Sequence, residues 1–201
     1  MKESKNNFWN QRYDAEDYVY GTSPNDFFKE QLTKINKGDL LLPAEGEGRN
    51  ALYAAKQGWN VMAFDSSESG KQKALKLASE HKVAFNYEVK DVLSFKTNER
   101  FDVLGLIYAH FPKDIRKSAN QYLLQFLKPN GTVIFEAFAK EQLANASGGP
   151  KNLDMLFSIE DIQNEFSGLE FELLQQQTIQ LNEGEHHKGK AEVIRFVGRK
   201  K

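Results

Sequence analysis

The sequence predicts an α/β fold: a seven-stranded, mostly parallel sheet with helices on both faces, finished by a C-terminal antiparallel hairpin. Three observations predict it. Short apolar runs alternate with segments of helical periodicity along most of the chain, an order that produces parallel strands with helical crossovers. A glycine loop, "EGEGRNA", stands between the first apolar run and the helix after it. The last two strand-like runs are separated only by the polar "NEGEHHKG", too short for a crossover, so they must pair antiparallel.

The elements follow in order. "DLLLPA" (39–44) is apolar throughout and reads as a buried strand. "RNALYAAKQG" (49–58) reads as a helix stopped by Gly58. "NVMAFD" (60–65) is a second buried strand. "SSESGKQKALKLASEH" (66–81) is a helix with Ala74, Leu77 and Ala78 on one face. "VAFNYEV" (83–89) alternates and suits a sheet edge, whereas "FDVLGLIYA" (101–109) is apolar on both faces and suits the centre. In the next segment Ile115, Ala119, Tyr122, Leu123, Phe126 and Leu127 form a helical stripe ended by Pro129 and Gly131. "TVIFEAF" (132–138) is a strand, 139–157 a long loop suited to a lid, and "SIEDIQNEFSG" (158–168) a helix with Ser158 and Asp161 in capping-box spacing. Strands near 169–181 and 190–198 complete the chain. The pattern amounts to five strand–helix repeats and a hairpin, in a single domain over 1–201: a helical cap over 1–36 and a core over 37–201.

Composition narrows the function. The chain has 201 residues, 40% of them hydrophobic, and a net charge of −1. This is enough for one sizeable core. It offers no basic excess to neutralise phosphates, so no nucleic-acid partner is expected. There is no cysteine, which excludes disulfides and thiolate metal sites and allows a cytoplasmic location. The histidines show no metal-ligand spacing, and no metal is expected. The N-terminus lacks the apolar core of a signal peptide, and no run has the length of a membrane span.

Gly46-Glu47-Gly48-Arg49-Asn50-Ala51 fits the G-x-G-x-x-G/A pattern between a strand and a helix. Glycines allow close backbone approach to a ligand, and the helix start offers free N–H groups. Asp65 ends the next strand, where a carboxylate can accept both hydroxyl protons of a ribose. Together these point to a nucleoside cofactor.

Further motifs carry a resemblance: "FWNQRY", "YGTSPNDFF", "EGEGRNALYAAKQGW", "FDVLGLIYAHF", "LKPNGTVIFEAF" and "GEHHKGKAEVIRFVGRKK". With these, essentially the whole chain resembles the Rossmann-like class I S-adenosylmethionine-dependent methyltransferases, in the small-molecule branch that includes the tellurite-resistance methyltransferases. The resemblance implies in-line methyl transfer from S-adenosylmethionine to a small-molecule acceptor, leaving S-adenosylhomocysteine. It implies that the segment Ala44–Gly48, with Glu45 and Gly46, wraps the methionine and ribose parts, with Asn50 just beyond. Asp65 would hold the ribose hydroxyls, Ser66 would lie beside the adenine, and Asp91 and Val92 would meet its amino group and ring. Tyr108, Ala109 and His110 would border the methyl group. The chain departs from the family at the loop: Leu42 replaces an acid, Pro43 follows it, and Ala44 replaces a glycine. Glu45 is the nearby substitute for the missing acid.

In an open parallel sheet, ligands sit at the carboxyl ends of the strands. Glu45, Asp65, Asp91, His110 and Glu136–Phe138 all lie there, and the hairpin turn brings Glu183, Glu185, His186 and His187 to the same edge. If the acceptor must lose a proton, His110 is the best-placed base by sequence, followed by His187 or His186. The competing readings are a locally hydrogen-bonded His110 and an exposed polar turn for the pair. Phe8, Trp9, Tyr13, Tyr18 and Tyr20 could cover the site or pack against the sheet. Arg12 and Lys140 read as solvated surface in preference to anion attractors. The alternatives are an NAD(P)-dependent oxidoreductase and a non-catalytic S-adenosylmethionine-binding module. Oligomeric state is not legible.

Overall fold

The computed structural model describes residues 3–201, with side chains from Phe8 onward; residues 1 and 2 of the expected N-terminal cap lie outside the described residues. Two helices, α1 (Glu3–Tyr13) and α2 (Asp26–Leu32), precede the sheet. The core then runs β1 (Asp39–Pro43), α3 (Arg49–Lys56), β2 (Asn60–Asp65), α4 (Glu68–Glu80), β3 (Asn86–Val89), β4 (Phe101–Ile107), α5 (Lys113–Leu124), β5 (Leu127–Phe138), α6 (Ile159–Glu165), β6 (Leu169–Glu183) and β7 (His187–Lys200).

The seven strands lie in the order β3-β2-β1-β4-β5-β7-β6. Strands β1 to β5 are mutually parallel, and β7 runs antiparallel to both β5 and β6. Strand order therefore reverses between β1 and β4, the switch point where open α/β sheets bind ligands. Side chains alternate across β1. Leu41 packs with Phe64, Leu104, Phe135 and Phe196 on one face. Leu40 and Leu42 pack with Phe28, Leu32, Ala51 and Ala63 on the other. Burial on both faces is why β1 reads as an unbroken apolar run.

Several boundaries differ from the sequence reading, each for a physical reason. Strand β3 is joined to β4 by turns and not by a helix, so the five strand–helix repeats are four. The connection instead buries Val92 and Phe95 under the sheet. The stripe assigned to α5 overruns: the helix ends at Leu124, and Leu127 already pairs with Phe101. Between Phe101 and Val103 the β5 partner carries extra residues, Lys128 to Gly131, as a bulge with Asn130 at φ 61°. Regular pairing resumes at Thr132, where the sequence places the strand.

The segment 139–157 is not a free lid. It contains two 3-10 turns and is bridged at its ends through Ala139 and Phe157. Gln142 is buried and accepts from the Glu192 N–H at 2.8 Å, while its amide donates to Ser147 Oγ and the Gly148 carbonyl, both at 3.0 Å. These bonds pin the segment to β7. The expected cap on α6 is present: Ser158 and Asp161 exchange the two bonds of a capping box. No helix among the described residues is long and apolar enough to cross a membrane.

Candidate active site

The glycine loop leaves β1 through a residue with positive φ, Ala44 at 53°. Tyr108, at the end of the neighbouring β4, also has φ 53°. Left-handed non-glycine residues cost about 1–3 kcal/mol each and gather at functional sites. These two flank the switch point. Gly46 (φ 63°) and Gly48 (φ 85°) complete the loop. The two glycines serve different ends. A Cβ on Gly46 would stand 2.6 Å from the Tyr13 hydroxyl, and one on Gly48 would stand 2.6 Å from Ala74 Cβ. Gly48 thus lets α3 and α4 approach, whereas Gly46 makes room for the Tyr13 ring over the loop.

Glu45 turns back onto α3. Its Oε1 accepts from the backbone N–H groups of Asn50 (2.8 Å) and Ala51 (2.7 Å). A carboxylate suits the positive end of a helix. Its Oε2 has only the Asn50 amide at 3.4 Å and keeps open lone pairs. Burial pushes this carboxyl up to about 7, against those same bonds and the charge of Arg49.

Asp65 ends β2. Burial pushes its carboxyl up to about 6, opposed by bonds from the backbone N–H groups of Ser67 (2.9 Å) and Gly46 (3.1 Å). A carboxylate has about four lone-pair positions, so acceptor capacity remains. Beside it opens a cleft of about 150 Å³ lined by Ser66, Val89, Lys90, Asp91 and Ser94. Val92 is buried beneath that turn. The arrangement fits an adenosyl group: an acceptor for ribose hydroxyls next to a narrow polar slot at the sheet's carboxyl edge.

The N-terminal segment roofs this edge. Asn10 Oδ1 accepts from Ser67 Oγ (2.8 Å) and the Ser69 N–H (3.2 Å), which fixes α1 to the start of α4. Tyr13 is buried and stacks on Trp9. Burial and the nearby charge of Asp65 raise its hydroxyl pKa well above the usual value. Glu47 ties the Val19 N–H (2.9 Å) and Lys73 (2.7 Å) to the loop. The ring of Tyr13 is buried and that of Tyr20 packs on His187 at 4.5 Å, whereas Phe8 is exposed.

A polar network continues from the loop toward the hairpin. Asn50 Oδ1 accepts from the Asn25 N–H at 2.9 Å. The Asn25 amide donates to Glu136 (2.7 Å) and Glu183 (3.0 Å). Glu136, fully buried at the end of β5, also accepts from the Tyr108 hydroxyl at 2.6 Å and from Arg195 of β7. Glu183 Oε2 lies 3.0 Å from Arg49 and 3.2 Å from His187 Nδ1. Burial opposes ionisation of Glu183, yet His187 and Arg49 hold its carboxyl down to about 2.

His187 is the first residue of strand β7, with its side chain buried. This corrects the exposed-turn reading for that residue, while His186 is exposed and lies 3.3 Å from Arg12. The rings of Tyr20, Tyr108 and Phe138 surround His187 at 4.5, 4.8 and 5.2 Å. Burial lowers its pKa, and Glu183 offsets part of that. An ionised Glu183 can only accept, so Nδ1 carries the proton and Nε2 is left with its lone pair.

His110 is held differently. Its Nδ1 donates to the Met155 carbonyl at 2.8 Å, and Nε2 faces the Phe138 N–H at 3.5 Å. Burial lowers its pKa to about 4. That is the local hydrogen bonding of the competing reading. Lys140 ion-pairs with Asp161 at 2.7 Å.

The structure thus gathers Ala44, Glu45, Gly46, Gly48, Asn50, Asp65, Ser66, Asp91, Val92, Tyr108 and Ala109 along one sheet edge. Asn25, Arg49 and Arg195 are additions. An arginine inside the apolar "VIRFV" was a visible signal for Arg195, and a residue placed to cap "DFF" was one for Asn25. Their partners come from elsewhere in the chain, which local pattern does not show.

Residues 43–131 match the family profile described as a methyltransferase domain. The chain is similar to a ubiquinone biosynthesis O-methyltransferase of Rickettsia canadensis (strain McKiel), at 29% identity over 114 residues, covering 57% of this chain and 48% of that protein. The chain therefore aligns with about half the length of that curated relative. Among solved structures, TehB from Haemophilus influenzae superposes with a TM-score of 0.74 at 14% identity, over 98% of this chain and 67% of that one. The N-methyltransferase NodS from Bradyrhizobium japonicum WM9, in complex with S-adenosyl-L-homocysteine, superposes with a TM-score of 0.69 at 13% identity, over 96% and 97%. At such identities the likeness is one of fold.

Proposed function

We propose, from the premise that this chain belongs to the class I S-adenosylmethionine-dependent methyltransferases, that it methylates a small-molecule acceptor by in-line transfer. The observation that carries the reading is the cleft between Ser66 and Asp91 beside the buried Asp65, on a scaffold matched as a methyltransferase domain. When bound, S-adenosylmethionine supplies an electrophilic methyl group. The chain's share is alignment and exclusion of water. Glu45, Gly46 and Asp65 would hold the cofactor from below, with Ser66, Asp91 and Val92 around the adenine and Tyr108 and Ala109 beside the reacting end. Tyr13 and Tyr20 would keep water out.

Removal of the acceptor's proton falls to His187. Glu183 fixes its tautomer, its lowered pKa leaves it neutral near pH 7, and its Nε2 is a free acceptor. His110, with Nδ1 bound to Met155 and a pKa of about 4, is a weaker base and serves better as a wall of the pocket. A base of this kind suits a protic acceptor such as a thiol, phenol or amine. The net charge of −1 supplies no basic surface for a nucleic-acid substrate.

The test is a panel of thiols, phenols, amines and oxyanions, read by formation of S-adenosylhomocysteine, beside calorimetric titration with S-adenosylmethionine. His187→Gln should lower turnover about 10²–10⁴-fold with cofactor affinity unchanged. Full turnover in that variant would remove His187 from the reaction. Binding of NAD but of neither sulfur compound would overturn the methyltransferase reading.

A further inference from the structure

The geometry points to Asn25 as a positioning residue that joins the cofactor loop to the Glu183–His187 dyad and keeps His187 in its proton-accepting tautomer. The inference rests on the methyltransferase reading only for its functional consequence.

Asn25 is 1% exposed, and its polar groups are all engaged. Its backbone N–H donates to Asn50 Oδ1 (2.9 Å) and its carbonyl accepts from Lys29 N–H (2.9 Å). Its Oδ1 accepts from the Phe28 N–H (2.9 Å), which caps α2. Its Nδ2 donates to both Glu136 (2.7 Å) and Glu183 (3.0 Å). The orientation of the amide is forced, because only the nitrogen can face two carboxylates.

Capping requires only the acceptor, which serine or aspartate would provide equally well. The two donor bonds are surplus to that role. They bridge carboxylates from β5 and β6 that would otherwise repel. Arg195 neutralises Glu136 from β7, and Arg49 neutralises Glu183 from α3. The Tyr108 hydroxyl and the His187 imidazole complete the charged and titratable surroundings. With Oε1 of Glu183 held by Asn25, Oε2 is aimed at Arg49 and at His187 Nδ1. Without that hold, Glu183 keeps only its Oε2 contacts with Arg49 and His187, and the Nδ1–H tautomer loses part of its advantage. The same residue reaches the loop through its backbone N–H, which donates to Asn50 Oδ1, while the Asn50 N–H donates to Glu45.

The experiment compares Asn25→Ser and Asn25→Asp with the unmodified chain. Both can cap α2 and keep the backbone bond to Asn50, but an ionised aspartate has no donor, and the single proton of the shorter serine hydroxyl cannot bridge both carboxylates. In the cofactor-free protein, nitrogen-resolved NMR of labelled histidine should show His187 as a single Nδ1–H tautomer. Asn25→Ser should give a mixture of both tautomers. Its turnover should fall about tenfold while cofactor affinity stays within about twofold. Asn25→Asp adds a third carboxylate and should move the acid limb of the pH–rate profile up by about one unit. Unchanged His187 tautomer and pH profile in both variants would overturn the inference. Should the variants not fold, the Asn25 side-chain amide of the unmodified chain must shift as His187 titrates, and a flat response overturns the inference equally. If the unmodified chain binds no S-adenosylmethionine, the methyltransferase reading fails, while the tautomer measurement still decides the role of Asn25.

Discussion

Replacing Glu183 with glutamine removes one charge from a buried cluster and keeps its shape. The side chains of Arg49 and Glu183 are only 9% and 14% exposed. Removing one partner of a buried pair leaves the other uncompensated, at a cost of about 3–5 kcal/mol. The titration of Glu183 gives a similar size. A carboxyl held from 4.5 down to about 2 corresponds to about 3 kcal/mol of stabilisation of the folded state. Glutamine can still accept from Arg49, so the lower figure applies. For a chain of this length about 3 kcal/mol corresponds to a Tm lower by about 6–12 °C. The sign with pH follows from the depressed pKa. The contribution is fully present above the unfolded value of 4.5 and is lost as pH falls through about 2. Thermal unfolding followed by circular dichroism should therefore show a wide gap between the two proteins near pH 7 and a narrow one near pH 3. Equal stability near neutrality, or a gap that widens in acid, would refute the account of this cluster.

Four further outcomes follow from the loop and its neighbours. Gly48→Ala should lose about 2 kcal/mol or more in thermal unfolding, because φ is 85° and the new Cβ would lie 2.6 Å from Ala74 Cβ; Gly48→Ala with Ala74→Gly should relieve that overlap only, leaving the 2.9 Å approach to Cα of residue 74 and the backbone strain. Asp65→Asn should weaken S-adenosylmethionine binding about 10–100-fold by calorimetry, and unchanged affinity would remove Asp65 from the cofactor site. Glu45 loses its proton near 7, so affinity for the cationic cofactor should rise with pH through that value and be flat in Glu45→Gln. The free protein should show the opposite trend. A raised folded pKa favours the protonated form, so the contribution is fully present below the unfolded value of 4.5, falls as pH rises from there to about 7 and is flat above it, and Glu45→Gln should abolish that slope.

Much of this protein is written in local pattern. Leu40–Leu42 are apolar without interruption because β1 is covered on both faces, and that is legible without coordinates. The glycine loop, Asp65 at the end of β2 and Asp91 after β3 fall on one sheet edge because parallel strands present all their carboxyl ends together. The Ser158 cap was legible for the same reason: its partner lies three residues away.

What the sequence could not decide depends on residues far apart in the chain. The "EHH" turn looks polar and exposed, and its composition says nothing of Tyr20, Tyr108 and Phe138 closing around His187. His110 is well placed by sequence, but the Met155 carbonyl that occupies its Nδ1 arrives from 45 residues away. Glu45 stands three residues after Leu42, where the acid is missing, yet its Oε1 is taken by the start of α3. Asn25, Glu136 and Glu183 come from three separate elements, and their partnership exists only once burial has stripped away the water that would otherwise satisfy each of them. Periodicity and turn chemistry act over a few residues and so determined the sheet, its order of elements and the edge that carries the site. Desolvation acts on whatever the fold brings together, and it decided which of the residues on that edge can hold a charge, a proton or a cap.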